Sequence, residues 1–207
     1  MKHPTSRLLH GYWDRLRGAR AAPERGEIEP GEIRNLLSDS LILEIDPACR
    51  AATVRLAGTR ICALFGRELR GSPLAALWAQ PSRGVMPDPW TLVETVSEET
   101  VGVVAGLVGT TDRGETIDLE LLLLPLRHRG RTQSRMLGSL SPHFIPHWLG
   151  LRPIRDLHAS SLRVLGQSFA QDRERAGAAL LAEIPSPAND VQAVRRGHLL
   201  VHRGGRS

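Results

Sequence analysis

Two cysteines, Cys49 and Cys62, are all that this chain of 207 residues carries, and neither stands in a C-x-x-C pair. A disulfide framework and a cysteine-based zinc or redox site are therefore excluded. Long apolar runs are missing too: the longest, Leu121 to Leu126, falls far short of the roughly 20 residues a membrane helix needs. An apolar block with a cleavage site is absent after Lys2, where Ser6, Arg7, His10, Asp14 and Arg15 follow, so no secretory signal is expected and the predicted location is cytoplasmic. Aromatics are scarce, with four Trp, three Phe and one Tyr. Packing claims most of them.

A large excess of one charge is lacking as well. The pI near 10.4 suggests nucleic acid, but the formal net charge is only +5, from 27 basic against 22 acidic residues. Two basic patches stand out: Arg127, His128, Arg129, Arg131 and Arg135 around one turn, and Arg195, Arg196, Arg203 and Arg206 near the end. Neither sits beside a recognition helix or base-stacking aromatics, so nucleic acid is a disfavoured partner and solvated turns the preferred reading.

What is present is an ordered alternation of helical and strand periods. Leu8, Leu9, Tyr12, Trp13 and Leu16 recur at helical spacing between Ser6 and Arg17, opposite Arg7, His10, Asp14 and Arg15; Thr5 or Ser6 caps this amphipathic helix and Gly18 ends it. A short second helix is expected around Ile33, Leu36 and Leu37, entered through Pro30. Ser40–Asp46 and Ala52–Leu56 read as a strand pair around a turn. Gly58 then changes the period, and Thr53 to Trp78 runs from strand through glycine turn into two short helical pieces, one around Ile61, Leu64 and Phe65, one from Pro73 to Leu77 and Trp78. Trp90 to Thr100 has a helical pattern.

Strands follow. Val101–Thr110 carries Gly102, Gly106 and Gly109, which suit a strongly bent strand. Asp112, Arg113 and Gly114 make a hairpin turn into Glu115–Leu126, where Ile117, Leu119, Leu121 and Leu123 share one face and Asp118, Glu120, Leu122 and Leu124 the other. The second half of that strand is apolar on both sides. Leu122 and Leu124 therefore need a cover, either the first helix or the same surface of a second copy. Gln133–Leu140 and Ile154–Leu165 are further strands, separated by a proline-broken loop with Trp148. Asp172–Ile184 is expected to be helical and 185–207 flexible.

The order of two strands, short helices, one longer helix and a three-strand meander resembles that of PAS domains. AGTRICALFGRELRGSPLAALW, with its G-x-x-L-x-G segment Gly66, Leu69 and Gly71, is similar to the PAS stretch that leads to an aromatic after the second helix. A closer likeness is to a family of small PAS-like proteins of alphaproteobacteria, through Tyr12, Trp13, Leu16, Arg17 and Gly18, the strand Arg135 to Pro142, and Trp148, Leu149 and Gly150. The resemblance covers residues 5 to 165. It implies a regulatory module that senses through a core ligand or mediates protein contacts and dimerisation, in a family of stand-alone regulators linked to motility and cell-cycle signalling.

Chemistry is thin. In light-sensing PAS domains a cysteine forms a flavin adduct, but aligning the G-x-x-L-x-G segment puts that position near Ser72 or Pro73, and Cys62 falls a helix earlier as a structural thiol. Haem-binding PAS domains use a histidine on the long helix, and Trp90–Thr100 has none. Haem and flavin adduct are both disfavoured, and the cofactor is left unassigned. His143 and His147 are four apart, yet Pro142 and Pro146 forbid a regular helix to hold a metal between them. Asp118 and Glu120 lack a neighbouring nucleophile and read as solvated strand carboxylates. His158 lacks the acidic residue of a phospho-acceptor box.

The expected fold is α+β, a PAS-like five-stranded antiparallel sheet with helices on one face and an N-terminal amphipathic helix. Its divisions are a helical cap over 1–38, the PAS-like domain over 39–165, and a C-terminal helix and flexible tail over 166–207. The expected activity is non-catalytic sensing or regulation through a protein partner or homodimer, by an interface of Leu8, Leu9, Tyr12, Trp13, Leu16, Leu122 and Leu124. The alternative is a carrier or enzyme holding a small apolar ligand between Phe65, Leu69, Leu77, Trp78, Trp90 and Val93 and the sheet residues Leu119, Leu121 and Leu137.

Overall fold

In the computed structural model, residues 1–79 and 88–165 are described in full, together with the backbone of Val194–Arg196 and Leu199–Val201. Two compact units divide the chain, Met1–Gly166 and Gln167–Ser207. The expected helix over Asp172–Ile184 lies outside the described residues. Of the segment 185–207, only β7 (Val194–Arg196) and β8 (Leu199–Val201) are described, an antiparallel pair.

The first unit is built on one antiparallel sheet. Its strands are β1 (Ser40–Asp46), β2 (Ala51–Ala57), β3 (Gly102–Thr111), β4 (Thr116–His128), β5 (Arg131–Pro142) and β6 (Ile154–Leu165), in the order β2-β1-β5-β4-β3-β6. The sheet thus has six strands where five were expected, because β6 pairs along the free edge of β3 from Gly102–Leu165 to Thr111–Ile154. The β3 glycines make that approach feasible: a Cβ on Gly106 would stand 2.6 Å from the Ser161 hydroxyl. At the same point the ladder shifts register between Gly106 and Leu107, so glycine here serves a close neighbour as well as a bend.

Three α-helices accompany the sheet: α1 (Pro4–Arg17), α2 (Thr59–Phe65) and α3 (Pro89–Glu99). Pro89 occupies the first turn of α3, where a missing N–H costs nothing, and the Asp88 carboxylate caps the helix by accepting from the Thr91 amide at 2.8 Å. The G-x-x-L-x-G segment has a plain physical role. Gly66 closes α2 in the left-handed conformation (φ 61°), the Arg67 amide reaches back to the Cys62 carbonyl at 3.2 Å, and Leu69 then plugs the core. Leu74–Leu77 forms a 3-10 turn, and the Ala79 amide donates to the Leu157 carbonyl at 3.1 Å, tying this stretch to β6.

Two expectations are corrected here. The second helix near Ile33 and Leu36 is instead a run of turns leading into a 3-10 turn at Leu37–Asp39, and a 3-10 turn at Arg25–Glu27 precedes it. The cap of α1 is neither Thr5 nor Ser6 but His3, whose Nδ1 accepts from the Thr5 amide at 3.2 Å, with Pro4 opening the first turn. Among the described residues no helix is long and apolar enough to cross a membrane.

Apolar side chains sort into two cores, one on each side of the sheet. The inner core joins α2, α3 and the Leu74–Leu77 turn to Ile117, Leu119, Leu121 and Leu123 of β4. The outer core packs Leu9, Tyr12 and Trp13 of α1 against Leu122, Leu124 and Leu126 of the same strand, with Val104, Leu137 and Leu165 beside them.

Candidate functional site

The period-2 alternation of β4 places its odd-numbered leucines inward and its even-numbered ones outward, and the structure gives each set a different cover. Inside, Phe65, Leu69, Leu77, Val93, Leu119 and Leu121 are all buried in one packed cluster. Trp78 and Trp90 sit half-buried at its margin. Arg50 lies over the Trp90 ring at 5.5 Å, and the Trp90 indole N–H donates to Glu94 at 2.9 Å. Leu137 does not join them: it pairs with Leu124 across the β4–β5 ladder and so faces outward, which corrects its inclusion with the inner residues.

On the outer side, the cover of Leu122 and Leu124 is α1 of the same chain. Leu9, Tyr12 and Trp13 are buried there and Leu16 is partly buried, whereas Leu8 is 62% exposed because the packed face of the helix runs through residues 5, 9, 12, 13 and 16. Of the residues expected to form an interface, then, most are already used within the chain. Polar contacts fasten this arm. The Trp13 indole donates to the Pro125 carbonyl at 2.8 Å, and the Tyr12 hydroxyl accepts from the Glu29 amide at 2.8 Å. Farther along, the Arg127 amide donates to the Pro23 carbonyl at 2.9 Å.

The start of the arm is held by a carboxylate read from sequence as solvated. Glu120 is only 3% exposed, and its two oxygens accept from the Lys2 amide at 2.7 Å and the His3 amide at 3.0 Å. Asp118, its neighbour on the same face, is exposed as expected. Burial opposes the charge on Glu120, yet the donated amides outweigh it and hold the carboxyl below the usual carboxylate range. Close by, Asp39 is buried and paired with Arg60 at 2.5 Å; burial pushes its carboxyl up and the guanidinium pulls the other way. Burial lowers the His3 imidazole.

Next to this clasp stands a feature the sequence reading passed over. His143, whose ring centre is 6.3 Å from that of His3, begins the loop between β5 and β6. Trp148 anchors the loop in the inner core, while Phe144, Ile145 and Leu151 are 72%, 66% and 81% exposed. Three large apolar side chains are thus offered to water within eight residues of one loop. The string PHFIPHWLGL carries all three, between prolines that break any regular period by which a packed face could be told from a free one.

Cys62 is half-buried near Glu68, and burial pushes its thiol up, away from the reactive range. Among the described residues no group of three or more His, Cys, Asp or Glu is placed to hold a metal ion, and His143 and His147 are exposed loop residues.

An antiparallel sheet ordered 2-1-5-4-3 with α2 and α3 on its inner face, and here extended by β6, defines the PAS type of α+β architecture. A PAS domain family model matches residues 1–141, and the chain belongs to that family, whose domains are in general sensory. Two solved structures are similar, each at 13% identity and a TM-score of 0.40. One is a light-oxygen-voltage domain studied with a flavin analogue, the match covering 72% of this chain and 93% of that one. The other is the light-state structure of the blue-light photoreceptor Aureochrome1 LOV, with 58% and 91% covered. No curated protein matches.

Proposed function

We propose that this PAS domain is a non-catalytic regulator of the cytoplasm whose output passes through contact with a protein partner or a second copy, and that the β5–β6 loop is the contact surface. The observation that supports it is the exposure of Phe144, Ile145 and Leu151 on a loop anchored by Trp148, beside the Glu120 clasp that fastens α1. A protein seated on Phe144 and Ile145 also reaches His143 and His3, so docking and release of the arm are coupled by position. Motility or cell-cycle signalling is the process in which such a regulator is proposed to act. The alternative, a carrier or enzyme with an apolar pocket, draws no support from the close packing of Phe65, Leu69, Leu77 and Val93.

The test pairs crosslinking capture from native cells with native mass spectrometry, on the wild-type chain and on Phe144→Ser combined with Ile145→Ser. The reading expects a protein crosslink, to a partner or to a second copy, that the double variant loses, and no stoichiometric apolar molecule in the inner core. Identical crosslinks from both chains, or an apolar small molecule bound among Phe65, Leu69, Leu77 and Val93 in the purified protein, would overturn it.

A further inference from the structure

The N-terminal arm does not cover the whole outer face. It runs over β4 and β5, is stitched to Arg127 through the Pro23 carbonyl and by the Glu24–Arg127 ion pair at 3.4 Å, and brings Arg25 to the rim of the part left open above β1, β2 and the start of β5. That part is a cleft of about 390 Å³ with Ile42 and Leu56 among its lining. Around them converge Arg25, Arg55, Arg70, Arg129 and Arg135, from four separate stretches of chain, with His128 beside them. A second cleft of about 540 Å³ shares His128, Arg129 and Arg135 and adds Arg131 and Glu44.

From this convergence we infer a binding site for a small ligand carrying at least two phosphate groups, on the outer sheet face beside α1 and opposite α2 and α3. Three observations carry it. Glu44 already pairs with Arg135 at 2.5 Å and Arg55 at 3.4 Å, which orients both guanidinium groups, while Arg25, Arg70 and Arg129 make no ion pair among the described residues. Five like charges at one cleft repel one another, and a multivalent anion relieves that repulsion while accepting forked hydrogen bonds. Arg129 stands at the tip of the two-residue turn between β4 and β5 (φ 52°) and lines both clefts.

Size decides the class of occupant. The cleft lies at the small end of the range for small-molecule sites, roughly 300–1,000 Å³, and suits a compact polyphosphate or nucleotide rather than a duplex. The apolar pair Ile42 and Leu56, the latter half-exposed, offers a nucleobase a surface to lie on.

The test is calorimetric titration of the full chain with tripolyphosphate and, separately, with ATP at low salt. Variants are Arg55→Ala with Arg129→Ala, and Arg113→Ala at the far hairpin as a charge control, all checked for folding by circular dichroism melting. Binding of either probe, weakened at least tenfold in the double variant and unchanged in Arg113→Ala, is expected. Tighter binding of ATP assigns the site to a nucleotide, and equal binding assigns it to free polyphosphate. No binding of either probe, equal weakening by Arg113→Ala, or binding of a DNA duplex without binding of the small probes would overturn the site. These outcomes are independent of the role of the β5–β6 loop.

Discussion

Truncating Leu9 to alanine removes a side chain that is fully buried between α1 and the outer leucines of β4, while the same change at Leu8, one residue earlier on the same helix, touches mostly water. The loss at Leu9 amounts to about three carbon groups at ~0.8 kcal/mol each, about 2.4 kcal/mol before any cavity is counted. Incomplete collapse around Leu122 and Leu124 raises the cost to about 3 kcal/mol, within the usual span for such substitutions. For a unit of this size that corresponds to a fall in Tm of about 6–12 °C. Leu8→Ala is expected to stay within about 0.5 kcal/mol of the parent. Urea denaturation followed by circular dichroism measures both, and a dye that fluoresces on apolar surfaces reports whether Leu9→Ala lifts the arm before the sheet unfolds. Equal effects of the two substitutions would refute the packing of α1 described here.

Acid weakens the arm. The Glu120 carboxyl titrates below its unfolded value, so its stabilisation is complete above the unfolded carboxylate pKa and is lost as pH falls through the folded one. His3, lowered by burial, acts in the same direction, whereas Asp39, raised by burial, acts in the opposite one. Glu120→Gln should cost about 1–2 kcal/mol at neutral pH and flatten the acid limb of a stability-versus-pH curve; an unaltered limb would mean that another group sets it. Gly66→Ala forces a side chain into the left-handed region and brings its Cβ to 3.1 Å from Pro153, so a loss of about 1–2 kcal/mol in urea titrations is expected. Phe144→Ser with Ile145→Ser should leave stability within about 0.5 kcal/mol of the parent while lowering dye binding by the folded protein, and a large loss of stability would show that the loop packs more deeply than described.

Much of the fold could be read directly because β4 states its own two-sidedness: Ile117, Leu119, Leu121 and Leu123 inward, Leu122 and Leu124 outward, with an amphipathic helix upstream to cover the latter. Strand positions followed from β-branched and turn residues that tertiary contacts reinforced. Register did not, because alternation fixes faces within a strand but not which face of β5 matches which face of β4; hence Leu137 was assigned inward although it pairs with Leu124. Glu120 was misread for a related reason. Its face was correctly placed outward, but outward here means beneath the arm, and backbone amides of Lys2 and His3, which leave no mark in a residue pattern, make its burial tolerable. Leu8 was counted with the packed stripe because helical spacing alone does not say where the stripe ends. The basic cleft was legible only in part, since Arg127 to Arg135 are adjacent in sequence while Arg25, Arg55 and Arg70 arrive by folding.

The account depends on α1 closing the outer face within its own chain, and thiol labelling reads this directly. In a Cys49→Ser, Cys62→Ser background, Leu124→Cys and Leu8→Cys are exposed to iodoacetamide under native conditions. Slow labelling at residue 124, set by opening of the arm, with rapid labelling at residue 8, is the expected result; labelling of both at the same rapid rate would contradict it.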